Sequence, residues 1–291
     1  MSSIGKYLPE AVDNFQEKRM ACMWWRSFKH NRIQRVQEIL DYYKGDDRFQ
    51  EELAYLKKYG ADYFPYVWSR DKKIWKIKCG GKFHDSQRER YVMHNGKKLY
   101  MAVTPYSQLL LEQHPGSPHA YFSPDFFVES GDCFVDIGAA EGMISLDVID
   151  KVEKCILIEC NEKWQHSLKK TFASYRSKVQ IVSKYVSDKN DEKNITLDEL
   201  LKDVENPVVL KIDVEGMEDQ VLAGAQEVLR RNNTKVAICT YHKPGDDVRF
   251  TEYFERLGYS LERSEGYMAM LNGEEPPYFR KVMLRAKKIV E

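Results

Sequence analysis

The sequence lacks several features that mark specialised classes of protein. It has only six cysteines in 291 residues, and none of them forms a Cys-x-x-Cys pair, the spacing typical of zinc and redox sites. No apolar run reaches the roughly 18 residues of a membrane span. The first ten residues, MSSIGKYLPE, lack the apolar core of a secretory signal. We therefore expect no membrane span, and free thiols in the reducing cytoplasm.

The chain also has no excess of either charge. Its 45 Lys and Arg residues balance its 45 Asp and Glu residues. Because domains that bind nucleic acid usually carry a basic surplus, this balance gives no reason to expect a nucleic-acid partner. Hydrophobic residues make up 43% of the chain, which is ordinary for a globular protein. The length suits one large domain, or a catalytic domain with a smaller one.

The first 120 residues have one texture. Residues 9–45 show helical periodicity, and a second helix is predicted to run from Phe49 to Tyr59. Residues 63–103 resemble strands, and Asn95-Gly96 is a typical hairpin turn. These patterns predict an N-terminal helical plus β-hairpin extension over residues 1–120. It could serve as a lid, a homodimer surface or a substrate-binding part.

Residues 121–291 have a different texture, in which apolar strands alternate with amphipathic stretches. Alternation of this kind is typical of an α/β domain whose parallel sheet is covered by helices on both faces. The predicted strands cover residues 133–137, 155–159, 179–186, 207–212 and 235–240. Helical stretches are predicted at 143–151, 162–174, 196–203 and 216–231, and a final helix and two strands follow residue 250.

A glycine-containing turn, Val135–Gly142, follows the first of these strands and opens a helix. Gly138, Ala139, Glu141 and Gly142 are candidate cofactor contacts, because glycine lets a backbone approach a ligand and a helix start favours anionic groups. Position 140 is alanine, so the turn lacks the dinucleotide pattern G-x-G-x-x-G. This weighs against an NAD-linked oxidoreductase. Asp136, at the strand end, would suit a cationic cofactor; a helix-packing turn is the alternative.

Polar residues also follow the next two predicted strands. Glu159 and Cys160 end the second strand, near the roughly 20-residue spacing at which a carboxylate binds ribose hydroxyls. Ser187 and Asp188 follow the third strand, where polar groups can bind an adenine amino group. The alternatives are a solvated acid and a plain turn.

A further set of polar residues follows the fourth and fifth strands. Asp213 and Glu215 lead from a buried strand into a helix, and His242 follows the next strand. Clustered acids at this edge can act as bases or metal ligands, and histidine is the usual proton acceptor near neutral pH. His242 is the candidate base, with Asp213 and Glu215 orienting it or the substrate. A divalent cation on the two carboxylates is an option, and a helix cap with a structural histidine is the alternative.

These segments resemble the FkbM family of methyltransferases over about residues 134–271. The turn Val135–Gly142 is similar to the family's cofactor loop, although Ala140-Glu141 replaces its usual Asn-Ile pair. The segments Ile195–Leu201 and Val208–Ala225 are similar to its most specific region. The resemblance implies a Rossmann-like class I methyltransferase sheet of seven strands with an antiparallel last strand. It also implies S-adenosylmethionine as cofactor, and methyl transfer to a hydroxyl of a sugar, glycolipid or secondary metabolite.

The sequence therefore predicts a cytoplasmic O-methyltransferase that takes a small-molecule or glycan acceptor. The cofactor contacts are then Asp136, Gly138, Ala139, Glu141, Gly142, Glu159, Cys160, Ser187 and Asp188. The catalytic residues are His242, Asp213 and Glu215. The alternative is a non-catalytic nucleotide- or S-adenosylmethionine-binding module with an N-terminal interaction region.

Overall fold

The computed structural model describes residues 33–59, 84–86, 89–100, 106–231, 233–271 and 275–288. The start of the first predicted helix and residues 63–83 of the predicted strand region 63–103 lie outside these ranges. The chain divides into two units, one of residues 1–68 with 268–279 and one of residues 69–267 with 280–291. The sequence-based boundary near residue 120 stays a prediction.

The helices of both units are short. In chain order they are α1 (described over 33–42), α2 (Gln50–Tyr59), α3 (Tyr106–Glu112), α4 (Met143–Val148), α5 (Glu162–Thr171), α6 (Leu197–Leu200), α7 (Glu218–Ala223) and α8 (Asp246–Arg256). The strands are β1 (His84–Ser86), β2 (Glu89–His94), β3 (Lys97–Tyr100), β4 (Cys133–Ile137), β5 (Lys154–Ile158), β6 (Val179–Val182), β7 (Tyr185–Val186), β8 (Asn194–Ile195), β9 (Val208–Ile212), β10 (Thr234–Cys239), β11 (Tyr259–Arg263), β12 (Met268–Ala269), β13 (Phe279–Arg280) and β14 (Met283–Lys288).

The first unit is held together by aromatic contacts around α1. The ring of Tyr43 stacks on Phe279 with centroids 5.1 Å apart, and its hydroxyl accepts a hydrogen bond from the Phe279 amide at 3.1 Å. The Arg35 guanidinium lies 4.5 Å from the centroid of the Tyr278 ring. The predicted second helix is confirmed as α2, after a break at Gly45, whose φ is +84°.

The second unit contains a mixed seven-stranded sheet among the described residues, in the order β11-β14-β10-β9-β4-β5-β6. β6, β5, β4, β9 and β10 are parallel, and β14 is antiparallel to both β10 and β11. This confirms the predicted seven strands with an antiparallel last strand.

The central strands are apolar because helices or other chain segments cover both of their faces. Every residue of β4 and β9 is buried. Val135 and Ile137 pack into the core on one side of the sheet, whereas Phe134 packs into the core on the other. Each fully buried large aliphatic or aromatic side chain contributes about 1.5–3 kcal/mol relative to exposure.

The register of the two central strands places their loops side by side. Asp136 of β4 lies opposite Lys211 of β9, and Ile137 lies opposite Ile212. The carboxyl ends of β4 and β9 therefore meet at one edge of the sheet, where open α/β sheets bind their ligands. We call this edge, with the loops after β4, β5, β9 and β10, the reaction edge.

The third predicted strand, 179–186, was wrong in its extent. β6 ends at Val182, and β7 leaves the sheet to pair with β8. The last predicted inter-strand helix, 216–231, is also interrupted. It becomes α7 and a short 3₁₀ helix at Val228–Arg230. At Gly224, the C-cap of α7, a Cβ would lie 2.0 Å from the Ser187 carbonyl oxygen.

The predicted hairpin at Asn95-Gly96 is confirmed. Both residues have positive φ, 48° and 78°, and β2 pairs with β3 across them. Within the second unit, the hairpin contacts α5 and α4, because the Tyr100 amide donates to the Thr171 hydroxyl at 3.0 Å and His94 Nε2 lies 2.7 Å from Asp147 Oδ1. Across the described residues, no helix has the length and apolarity to cross a membrane.

Candidate active site

The loop after β4 requires glycine at two positions. Gly138 has a φ of +78°, and a Cβ on it would lie 1.9 Å from the Asp213 carbonyl oxygen. Gly142 has a φ of +72°, and a Cβ on it would lie 2.6 Å from Leu168 of α5. The loop is therefore wedged between the loop after β9 and helix α5.

Asp136 sits inside this arrangement with its carboxylate already engaged. It is 1% exposed. The Ser145 hydroxyl donates to its Oδ2 at 2.7 Å, and Lys211 Nζ lies 3.1 Å from its Oδ1. The same ammonium donates to the Gly138 carbonyl. Asp136 thus braces the loop through Ser145 and Lys211, and its contact with a cationic cofactor stays a prediction.

Glu159 follows β5 and faces the loop after β4. Its two carboxylate oxygens accept backbone hydrogen bonds, from Ala140 at 3.0 Å and from Asn161 at 2.8 Å. A carboxylate has about four lone-pair sites, so each oxygen keeps capacity for another donor. The two amides fix the position of the carboxylate without using all of its hydrogen-bond acceptor sites.

The remaining predicted cofactor residues differ in accessibility. Ala139 and Glu141 are buried, and Cys160 is half-buried. Burial raises the pKa of the Cys160 thiol, to which the Tyr185 hydroxyl of β7 is hydrogen-bonded.

Ser187 and Asp188 follow β7 rather than a strand of the main sheet. The Ser187 side chain is buried, whereas Asp188 is exposed. The structure thus brings Asp136, Gly138, Gly142 and Glu159 to one loop cluster, and puts Ser187-Asp188 on the separate β7–β8 pair.

Asp213 follows β9 and is surrounded by polar groups. The Tyr121 hydroxyl donates to its Oδ2 at 2.6 Å, and His242 Nε2 lies 3.5 Å from its Oδ1. Burial disfavours its charge, but Lys211, His119, His242 and the Tyr121 hydrogen bond outweigh that cost and lower its pKa to about 2. Asp213 is therefore ionised at neutral pH.

His242 follows β10 with its two ring nitrogens in different surroundings. Nδ1 lies 2.8 Å from Oε1 of the buried Glu218 carboxylate. Nε2 is 3.5 Å from Asp213 and 3.6 Å from Glu215, and has no hydrogen-bond partner among the described residues. Because a carboxylate only accepts, Nδ1 carries the proton in the neutral ring, and Nε2 is the nitrogen that exchanges one.

The proton affinity of His242 is increased by its neighbours. Burial opposes the charged imidazolium, but the Glu218 hydrogen bond and the charges of Asp213, Glu218 and Glu215 outweigh it and raise the pKa of His242. The reverse interaction lowers the pKa of Glu218 against its own burial.

Glu215 projects from the turn between β9 and α7. Its φ is +54°, and the following Gly216 has a φ of +93°. Its side chain is 90% exposed. A non-glycine residue in the left-handed region costs on the order of 1–2 kcal/mol, and here that conformation carries a carboxylate to the solvent side of His242.

Two contributors from the segment 117–123 were not predicted, His119 and Tyr121. His119 Nε2 lies 3.3 Å from the Tyr241 hydroxyl and 3.8 Å from Asp213. Burial lowers the pKa of His119 to about 4, so it is neutral at pH 7. No strand-end pattern marks this Pro- and Ser-containing segment, so the sequence offered no signal for either residue.

The last strand holds that segment in place. Arg285 of β14 donates to the carbonyls of Ala120 and Tyr121 at 2.7 and 3.1 Å. It also pairs with Glu262 of β11 at 2.6 Å, and Glu262 accepts from the Ser123 hydroxyl at 2.8 Å. These contacts form a buried bracket that fixes Tyr121 against Asp213.

Two sets of ligand-type atoms lie within 4.8 Å of one another among the described residues. They are His119, Asp213 and Cys239, and Asp213, Glu218 and His242. In the first set, burial raises the pKa of the Cys239 thiol, which makes it a poor ligand. In the second set, the His242–Glu218 hydrogen bond already uses one ligand atom of each. In each set, therefore, at least one candidate ligand atom is poorly suited to bind a cation or is already hydrogen-bonded.

The seven-stranded sheet with its antiparallel β14 is the fold of Rossmann-like class I methyltransferases. A protein-family model described as "Methyltransferase FkbM domain" matches residues 81–261, which is more than half of the chain. The chain belongs to the FkbM methyltransferase family. No curated protein matches it significantly.

Solved methyltransferase structures are similar to it at low identity. An FkbM methyltransferase from Methylobacillus flagellatus is 21% identical, with a TM-score of 0.47, over 57% of this chain and 46% of that one. TYW2 from M. jannaschii, solved with AdoMet, is 16% identical, with a TM-score of 0.45, over 71% and 89%. SMU.1697c from Streptococcus mutans, a putative methyltransferase solved with SAH, is 11% identical, with a TM-score of 0.37, over 55% and 90%. The match thus spans less than half the length of the M. flagellatus protein.

Proposed function

We propose that this protein is an S-adenosylmethionine-dependent O-methyltransferase acting on a hydroxyl of a sugar, glycolipid or secondary metabolite. The observation that carries the proposal is His242, whose buried Nε2 has no hydrogen-bond partner among the described residues while Glu218 holds Nδ1 at 2.8 Å. It lies at the same edge of the sheet as the glycine loop. Family membership supports methyl transfer, and the imidazole supports an acceptor that must lose a proton.

The residues beside the loop fit the adenosyl cofactor. The backbone of Gly138–Gly142 would lie against it, and Glu159, fixed by two amides, has the oxygens to accept a ribose diol. The adenine would be lined by Cys160, Ser187 and Asp188. When bound, the cofactor supplies an electrophilic methyl group on a positively charged sulfur.

His242 would make the acceptor a better nucleophile. An alcohol is weakly nucleophilic with its proton on, so a base within hydrogen-bond reach assists. Nε2 takes that proton, and Asp213, Glu215 and Glu218 stabilise the imidazolium that results. Glu218 also keeps Nε2 free by holding the proton on Nδ1. Most of the remaining rate comes from positioning.

The chain would divide its work between two parts. Residues 121–291 would form the catalytic domain, as predicted from the sequence. Residues 1–120 would provide a lid, a homodimer surface or part of the acceptor site.

The test measures ligand binding and turnover in two variants, His242→Ala and His166→Ala. His166 is an exposed histidine of α5, so its replacement is the control. S-Adenosylhomocysteine at a hundredfold excess over its Kd should stabilise both by about 2.7 kcal/mol, and NAD should not. With isotope-labelled cofactor and a panel of hydroxylated acceptors, His242→Ala should lose about 10²–10⁴-fold in turnover, and His166→Ala should lose nothing.

Three results would contradict the proposal. Stabilisation by NAD alone would indicate an oxidoreductase. Cofactor binding with no acceptor methylated would favour the binding module. Unchanged turnover in His242→Ala would remove that residue from the base role.

A further inference from the structure

The carboxylates of the reaction edge are not equally available to a ligand. Asp136 is buried between Ser145 and Lys211. Glu159 accepts two backbone amides, and the proposed function gives its remaining capacity to the ribose. Glu215 is 90% exposed on the turn beyond Asp213. The side chain of Asp213 is 17% exposed, so this ionised carboxylate at the end of β9 also has surface left to meet a ligand.

Asp213 is also adjacent to the place where the cofactor loop begins. Its amide donates to the Ile137 carbonyl at 3.1 Å, and its own carbonyl is the atom that a Cβ on Gly138 would strike. The Tyr121 hydroxyl fixes one of its oxygens at 2.6 Å. The backbone of Asp213 therefore adjoins the loop, and the Tyr121 hydrogen bond sets the direction of its carboxylate.

The charges around Asp213 do not cancel. Lys211 is attracted by both Asp136 and Asp213, so one ammonium serves two carboxylates. His242 is paired with Glu218. The edge therefore keeps a net negative charge, and Asp213 is one of the carboxylates that carry it.

We infer that Asp213 makes the protein prefer positively charged S-adenosylmethionine over neutral S-adenosylhomocysteine. The inference rests on the proposed function. A fixed carboxylate attracts a sulfonium and gains nothing from a thioether, so its contribution is present before methyl transfer and gone afterwards. Asp213 then has the role that the sequence analysis gave to Asp136, which is to face a cationic cofactor. The loss of this attraction after methyl transfer helps the product to dissociate. Asp213 is thus a specificity-determining residue for the cofactor's charge.

Titration calorimetry on the full chain tests this inference with three ligands. They are S-adenosylmethionine, S-adenosylhomocysteine and sinefungin, an analogue in which an amine-bearing carbon replaces the sulfonium. Asp213→Asn should weaken the two cationic ligands by about 5- to 10-fold and leave the neutral one within about twofold. Asp203→Asn removes the same charge from an exposed residue before β9, at the opposite edge of the sheet, and should change none of the three.

A second variant separates charge from support. Tyr121→Phe removes the hydrogen bond to Asp213 and keeps the carboxylate, so the ratio of the two cofactor affinities should persist even if all three ligands bind more weakly. Equal weakening of all three ligands by Asp213→Asn, or no weakening, overturns the inference while the proposed function stands. A wild-type protein that binds none of the three overturns the proposed function, and the inference with it.

Discussion

His242 faces three carboxylates that differ in exposure. Glu218 is 1% exposed and bonded to Nδ1, Asp213 is 17% exposed and faces Nε2, and Glu215 is 90% exposed. A charge in a buried position is screened less by water and salt. Glu218 therefore contributes the most to the proton affinity of the ring, as well as setting its tautomer.

Replacing Glu218 with Gln should lower the pKa of His242. The amide keeps the side chain's shape but removes the buried charge that stabilises the imidazolium. NMR titration of the histidine rings measures this directly. His166, exposed on α5, provides an internal control, because the Glu218→Gln change is in a different helix. An unchanged His242 midpoint would mean that Asp213 and Glu215 set its proton affinity without Glu218.

Single residues of the site could be predicted only as far as strand ends reveal them. Asp213 and His242 come directly after apolar strands, so the sequence placed both at one edge. The pairing of Asp136 with Lys211 depends on β4 lying next to β9 in one register, and strand order is not written in local sequence. Glu218 was visible in the segment after Asp213, but its contact with His242 depends on how α7 begins.

The loop after β4 acts as a single element because its glycines have no room for a side chain. Gly138→Ala combines a strained φ with a Cβ 1.9 Å from a carbonyl oxygen. We expect it to lower the free energy of unfolding by about 2–4 kcal/mol and to abolish S-adenosylhomocysteine binding, as measured by urea unfolding and calorimetry.

A matched control comes from a glycine of similar conformation in open space. Gly131 has a φ of +90°, and nothing lies within 4 Å of a Cβ built on it. Gly131→Ala should cost only the strain, about 1–2 kcal/mol, and leave ligand binding intact. Equal costs for the two variants would show that the contact with Asp213 does not constrain the loop.

Most central strands could be predicted because a strand buried on both faces is a short, nearly continuous apolar run. β4, β5, β9 and β10 follow that rule. Residues 179–186 contain no Gly or Pro, so no strand breaker marked the end of β6 at Val182. There the chain leaves the sheet for a pairing with β8 that joins residues from two separate segments.

At the scale of the whole molecule, His119 and His242 make the free energy of unfolding depend on pH in opposite directions. The pKa of His119 is lowered to about 4 by burial, so the unfolded chain binds a proton below pH 6.5 that the folded chain refuses. Stability is then lost as pH falls from 6.5 to 4, by about 3 kcal/mol. The raised pKa of His242 gives stability that is complete below pH 6.5 and is lost as pH rises through its folded value.

The acid side of this curve can be tested with His119→Gln. An amide can still reach the Tyr241 hydroxyl but does not titrate, so urea unfolding measured from pH 7 to pH 4.5 should show a flatter decline than the wild type. His166→Gln, on the exposed face of α5, should keep the wild-type slope. An acid limb equally steep in both variants would assign the loss to other groups, such as protonation of carboxylates.

The overall fold was predictable, whereas the segment 117–123 was not. Alternating strands and helices, with the FkbM-like motifs, were enough for a seven-stranded sheet. His119 and Tyr121 precede β4 and belong to no periodic pattern, and their position depends on Arg285, more than 160 residues further along the chain.

The bracket formed by Arg285 sets an order of assembly for the protein as it is synthesised. Tyr121 leaves the ribosome long before Arg285 does, yet its carbonyl is fixed only when β14 inserts between β10 and β11. The nascent chain can form its parallel strands early. The Tyr121 hydroxyl reaches its final position beside Asp213 only after β14 has been added to the sheet. A chain stopped short of residue 283 would hold most of its sheet and still lack the contacts that fix Tyr121 against Asp213.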